Sequence, residues 1–221
     1  MLALVCPEGA ARAQDSTAFT EVLIRSTFRI EGSGKSGTVF MMGDPGREGT
    51  DARFVMLTAG HVLEDIRDDW ATLVLRTRVL GVYRKLPVKI RVRIGGKPLW
   101  LKHSDLDLAA MYVSLPPAAD IVLASTNLLA SDSSLRTFGI GLGYEVFVLG
   151  FPYNLESNDA GFPVLRRGYI ASFPIYPTSE YKTFFVDLAA FPGNSGGPVF
   201  IMPQNPSYGG AVHVGVDIQG G

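Results

Sequence analysis

The chain has one cysteine, Cys6, in 221 residues, so no intramolecular disulfide can form and the fold must hold by packing alone. No apolar run approaches the ~18 residues that a membrane-spanning helix needs. Charge of either sign is scarce: Lys and Arg total 20, Asp and Glu 21, and the net charge of −1 supplies no electrostatic reason to expect nucleic acid as a partner. There are only three histidines, His61, His103 and His213, scattered and without ligand spacing, so the sequence offers no metal site and implies no cofactor. Long amphipathic helices are missing as well.

What is abundant points one way. Hydrophobic residues make up 47%, which suits a packed core, and 25 glycines with 14 prolines punctuate the chain into short segments. That pattern predicts an all-β protein. Phe19–Ile30, Thr38–Met42, Arg53–Ala59, Ala71–Leu80, Val88–Ile94 and Asp107–Val113 read as strands, with one helical turn over His61–Glu64. VKIRVRI (Val88–Ile94) carries Lys89, Arg91 and Arg93 on one face; with no interleaved aromatics this reads as the solvated side of an antiparallel strand. Leu115–Leu135 has the Pro, Ser and Asn content of a connector. Further strands follow over Glu145–Gly150, Val164–Ser172, Thr183–Ala189, Pro198–Met202 and Ala211–Gln219. The organisation expected is an N-terminal arm or residual export signal (1–18), a first β-lobe (19–116), a linker (117–136) and a second β-lobe (137–221). Ala11-Arg12-Ala13 before Gln14 has the small-residue form of a signal-peptidase site, which gives the expectation of an exported, periplasmic or secreted protein, with a cytoplasmic one as the alternative.

The chemistry concentrates in FPGNSGGPVF, Phe191–Phe200, where Ser195 lies among glycines and prolines. GNSGG fits the G-x-S-x-G elbow of α/β-hydrolases. That elbow needs a helix directly after the serine and then an acid and a histidine in that order. Here Gly196-Gly197-Pro198 leads into a strand, and downstream His213 precedes Asp217. A serine nucleophile otherwise needs a base, most often imidazole. His213 lies in an apolar strand, AVHVGV, and His103 in a polar turn, LKHSDLD. His61 ends VMLTAGH, an apolar strand that delivers it through Ala59 and Gly60 to a lobe edge, and is the best base. The acid that orients it is Asp107, at the mouth of the apolar run DLAAMYV, with Asp105 as runner-up.

TAGH at His61, DLAAM at Asp107 and PGNSGGP at Ser195 resemble the three motifs of the trypsin-like serine proteases, in that family's order. VDLAAFPGNSGGPVF, GKSGTVF (Gly34–Phe40) and VLGFP (Val148–Pro152) resemble its disulfide-free bacterial branch, the HtrA/Deg proteases. The resemblance runs from about Ser26 to Gly221. It implies two packed six-stranded antiparallel β-barrels with the site between them. It also implies a serine endopeptidase acting on polypeptides through an acyl-enzyme, with a catalytically silent peptide-binding module as the alternative. By resemblance the N–H groups of Gly193 and Ser195 form an oxyanion hole, and Asp217, Ile218, Gln219 and Gly220 belong to a strand that pairs with the substrate. Ala189 becomes the base of the specificity pocket, and with Leu188 and Ala190 it makes an apolar floor. Nothing cationic is visible beside it, so aliphatic residues are expected there, with a basic residue as the alternative if Asp217 points into the pocket, and acidic ones are excluded in either case. Two departures carry weight. Asn194 stands where secreted zymogens of the family hold an aspartate, which argues against activation by a freed N-terminus. The family's C-terminal peptide-binding domains, last strand and terminal helix do not appear before Gly221, so the expectation is either a sequence cut short of the full gene product or a shortened second barrel.

Overall fold

The computed structural model describes residues 2–5, 13–44, 53–202 and 211–214. Antiparallel β-structure dominates in two large sheets. The first has seven strands, in the spatial order Val82–Arg91, Trp70–Val79, Thr27–Gly32, Lys35–Asp44, Arg53–Thr58, Ala109–Val113 and Leu101–Lys102. The second has six: Leu2–Val5, Ala211–Val214, Pro198–Ile201, Glu145–Gly150, Val164–Ile170 and Val186–Asp187. Among the described residues neither sheet closes on itself, so the all-β reading holds at the level of antiparallel sheets and not of two closed barrels.

Each sheet buries one face. Phe28, Ile30, Val39, Met41, Met56, Leu73 and Leu75 form the core under the first, all fully buried. Val146, Val148, Ile170, Val199 and Ile201 form the core of the second. A third cluster joins them: Phe40, Met42 and Leu57 from the first sheet meet Leu149 and Phe200 from the second. Burial of large apolar side chains contributes roughly 1.5–3 kcal/mol each, so this joint makes the two sheets one unit.

The joint is covered by an element that composition misassigns. Phe19–Ile30 reads as a strand because β-branched and aromatic residues crowd it. Instead Ala13–Ser26 is a helix, and the strand begins only at Thr27. The helical spacing of Phe19 and Leu23 places both in the joint, with Leu23 fully buried and Phe19 edge-on to Phe200 at 6.2 Å. Its C-terminal turn is fastened by side chains: the Ser26 hydroxyl donates to the Val22 carbonyl (2.6 Å) and that of Thr27 to the Leu23 carbonyl (2.8 Å). Arg25 bridges Glu21 one turn back and Asp120 in the connector. The connector is mostly irregular, but it ends in a short helix, Asp132–Thr137, capped by Ser131 with Ser134 completing a capping box.

Arg76 locks these parts together. Its side chain is fully buried, with the guanidinium 4.3 Å from the ring centres of both Phe28 and Phe162. Its N–H groups donate to the carbonyls of Ile24, Thr27 and Gly161, each at 2.9 Å. Burial pulls its pKa down to about 9, which still leaves it charged at neutral pH. One cation thus holds the end of the first helix, a strand of the first sheet and the loop that enters Val164–Ile170 of the second.

Candidate active site

Register explains how His61 meets its carboxylate. Ala109–Val113 runs antiparallel to Arg53–Thr58 with Ala109 opposite Thr58. Two residues before Ala109 therefore lies beside two residues past Thr58, which sets Asp107 against Gly60. There a short helix, Gly60–Asp65, begins. Asp107 Oδ1 accepts the backbone N–H of His61 at 2.9 Å, and Oδ2 makes a short contact with His61 Nδ1. The carboxylate thus grips both the main chain and the ring. A Cβ on Gly60 would lie 2.8 Å from Asp107 Oδ1, so a larger residue there would push the acid away. The Asp107 side chain is 18% exposed and that of His61 41%. With an Nδ1–H donated to Asp107, the Nε2 edge is left as an acceptor on the open side.

The runner-up acid is committed elsewhere. Asp105 accepts from Lys182 Nζ at 2.7 Å across the gap between lobes, and that ammonium holds its pKa below the ordinary carboxylate range. His103 is also occupied: its Nδ1 accepts the backbone N–H groups of Asp105 and Leu106. His213 lies on Ala211–Val214 opposite Val199.

The Ser195 segment is two turns in series. Asn194 N–H donates to the Phe191 carbonyl at 3.2 Å, and Gly197 N–H donates to the Asn194 carbonyl at 3.0 Å. Each turn has a glycine with positive φ in third place, Gly193 at 95° and Gly196 at 87°, the sign a type II turn requires. Pro192 takes second place in the first turn and Ser195 in the second. This arrangement leaves the N–H groups of Gly193 and Ser195 without a protein acceptor among the described residues.

The glycines also allow close approach. A Cβ on Gly193 would lie 2.2 Å from the Phe151 carbonyl oxygen, and one on Gly196 2.2 Å from both the Thr38 oxygen and Thr58 Oγ1. Thr38, on Lys35–Asp44 of the first sheet, binds the loop from the other lobe. Its N–H donates to the Ser195 carbonyl at 2.8 Å and its hydroxyl to the Gly193 carbonyl at 2.7 Å. Gly196, directly after Ser195, is therefore seated against Thr58 and Ala59, the residues that lead into His61. Among the described residues no hydrogen bond links the Ser195 hydroxyl to the imidazole.

Motif reading misses several residues that shape this site. Thr38 is one, invisible because its role depends on a contact 155 residues away in sequence. Tyr153 is another: its N–H donates to the Pro192 carbonyl at 2.7 Å, and its ring lies 5.0 Å from that of Phe191. Non-glycine residues with positive φ at Tyr153 and Asn154 make the sharp bend that permits this.

The segment before the serine needs a correction. Ala189 is exposed and Ala190 half-buried. The expectation that no cation lies there does not hold. Arg166 Nη1 donates to the Ala189 carbonyl at 2.5 Å, and its guanidinium sits 4.7 Å from the centre of the Phe191 ring. The substrate-strand residues Asp217, Ile218, Gln219 and Gly220 lie outside the described residues. Among the described residues no group of three or more His, Cys, Asp or Glu converges as a metal site, and no helix is long and apolar enough to cross a membrane.

No family model and no curated protein matches the sequence. Among solved structures, Rv3671c from M. tuberculosis H37Rv, crystallised in an inactive serine-to-alanine form, is 14% identical. That match covers 96% of this chain and 91% of that one, with a TM-score of 0.43. The protease Anisep from Arthrobacter nicotinovorans is also 14% identical over 85% of this chain and 82% of that one, with a TM-score of 0.46. At this similarity the functional reading stands on the geometry of the site.

Proposed function

We propose that this chain is a serine endopeptidase that cleaves polypeptides through an acyl-enzyme, on a trypsin-like pair of β-lobes of the HtrA/Deg kind. One observation carries the reading. A serine flanked by two uncommitted N–H groups is followed by a glycine that packs on the strand that delivers a histidine, and that histidine is gripped through Nδ1 by a carboxylate.

The roles follow from the atoms. His61 Nε2 accepts the proton of Ser195 as Oγ attacks the scissile carbonyl. Asp107 holds the ring in the tautomer that leaves Nε2 free and stabilises the imidazolium. The N–H groups of Gly193 and Ser195 bind the oxyanion, a contribution of about 3–4 kcal/mol for a single donor in well-studied cases. His61 then gives its proton to the leaving amine, the C–N bond breaks, and water repeats the sequence on the acyl-enzyme. Residues 217–220 pair with the substrate backbone as an added strand.

A catalytically silent peptide-binding module is the second reading, and the missing hydrogen bond between Ser195 and His61 favours it. A fluorophosphonate separates the two, because only an activated serine reacts. Under the peptidase reading the probe labels wild-type protein, and neither Ser195→Ala nor His61→Ala labels or cleaves while both retain the native circular dichroism. Absence of wild-type labelling would falsify the proposal.

A further inference from the structure

Building on the peptidase reading, we propose that Arg166 makes the site select an acidic residue, Glu or Asp, at the cleaved position.

Arg166 occupies an unusual place for a cation. It lies on Val164–Ile170 directly opposite Val148 of Glu145–Gly150. Paired residues on adjacent antiparallel strands project to the same side of a sheet. Val148 is only 2% exposed and belongs to the core of that side. Arg166 therefore starts from the inner face of the second sheet and is half-buried. Its neighbour Arg167, on the other face, is highly exposed and reaches Glu145 at 3.5 Å. Arg166 has no carboxylate within ion-pair distance among the described residues.

The guanidinium is nonetheless fixed. One N–H is held by the Ala189 carbonyl, and the plane is held against the Phe191 ring. Both partners belong to the short run that leads straight into Gly193 and Ser195. The rest of the planar fork is unspent, and a fork geometry matches a carboxylate better than any other protein group. Ala189 is exposed and carries no bulk that would cover it. A half-buried cation without a counter-ion among the described residues is costly by itself, and an incoming carboxylate would remove that cost on binding. A small floor, a pre-oriented fork and no resident anion among the described residues together describe a receptor for an acidic side chain.

The bland role for Arg166 is to tether the Ala189 carbonyl. Arg166→Gln removes the charge and Arg166→Lys keeps it, while both lose the guanidinium fork, so comparing the two variants separates charge from tether. The assay compares kcat/KM of the full chain for two fluorogenic peptides that differ only by Glu or Gln at the cleaved residue, with Leu as a third. Charge-assisted hydrogen bonds to a partly desolvated group predict a Glu-over-Gln preference of about 10- to 100-fold. Arg166→Gln should bring that ratio to about 1 through loss of Glu-peptide cleavage, and Arg166→Lys should keep part of it. A wild-type preference for Leu or Gln, or a ratio that survives Arg166→Gln, overturns the inference while leaving the peptidase reading intact. If no peptide is cleaved and Ser195 does not label, the peptidase reading fails. Calorimetric titration of the same Glu and Gln peptides then decides whether the site still selects a carboxylate, and equal affinities overturn that as well.

Discussion

Replacing Gly196 by Ala tests the seat of the serine loop with a single methyl group. The backbone there has φ of 87°, a conformation that costs an L-residue roughly 1–2 kcal/mol. The added Cβ would lie 2.2 Å from the Thr38 carbonyl oxygen, 2.2 Å from Thr58 Oγ1 and 2.9 Å from the Ala59 nitrogen. Two of these atoms are backbone and cannot rotate away. The third already donates to the Thr38 oxygen at 2.7 Å, in a fully buried pair. Overpacking of this sort adds about 1–3 kcal/mol, for a combined loss of about 2–5 kcal/mol. In a chain of this length each kcal/mol shifts the melting midpoint by about 2–4 °C, so a fall of about 4–20 °C is expected. Differential scanning calorimetry in a Ser195→Ala background, which removes self-digestion, measures it. In the active background fluorophosphonate labelling should slow by at least about tenfold, because relief of the clash must lift residue 196, and with it the adjoining Ser195, away from Thr38 and Thr58. A midpoint within about 2 °C of the parent would refute the seating of the loop on Thr38 and Thr58.

Asp107→Asn should lower kcat by about 10⁴, since an amide cannot hold the required tautomer. Asp105→Asn should cost less than tenfold because it loses only an exposed bond to Lys182; steady-state kinetics on both variants, with Asp105 the more damaging, would reverse the assignment of the acid. Asn194→Asp should destabilise the chain by several kcal/mol, because residue 194 is 1% exposed and no cation contacts it among the described residues; an unchanged midpoint at pH 7 contradicts that. Asp69 accepts the N–H groups of Gly95 and Gly96, and these bonds hold its pKa below the ordinary carboxylate value. Its stabilisation is thus present above about pH 4 and lost as pH falls through the lowered value. The melting difference between wild type and Asp69→Asn should be largest near pH 6 and shrink toward pH 3, and a constant difference argues against it.

What the sequence discloses and what it hides divide along one physical line. Contacts between neighbouring strands can be read from motif and register. TAGH and DLAAM lie at facing ends of adjacent antiparallel strands, so the apposition of His61 with Asp107 needs only that Ala109 stand opposite Thr58. The glycines around Ser195 declare two turns because their positive φ is a local requirement. Contacts set by packing across the molecule leave no such trace. The Arg166 guanidinium meets Ala189 and Phe191 only through the way the segment before the serine folds back, and Lys182 meets Asp105 only because two loops from different lobes converge. The first helix shows the same limit in local form. Thr17, Phe19, Thr20, Val22 and Ile24 favour a strand, but the interval between Phe19 and Leu23 fits the joint between the sheets, and burial there outweighs propensity.

Asn194 shows how the serine loop is held without a charged latch. Its backbone is fully used, its N–H closing the first turn and its carbonyl the second. Its side chain is buried, yet neither amide atom has a partner among the described residues. Each unpaired buried group costs about 1–3 kcal/mol, so this side chain does not stabilise the loop through its own hydrogen bonds. Fixation must come from elsewhere, and the sources are all neutral. Two turns are closed by backbone bonds, Gly193 packs under the Phe151 carbonyl, and Thr38 binds the carbonyls on either side of Asn194. None of these groups titrates between pH 5 and 9, and none requires a newly cut terminus. The orientation of the Gly193 and Ser195 N–H groups is thus set by glycine geometry and by a threonine of the opposite lobe. Any change that moves Thr38 should reach the serine before a change in net charge does.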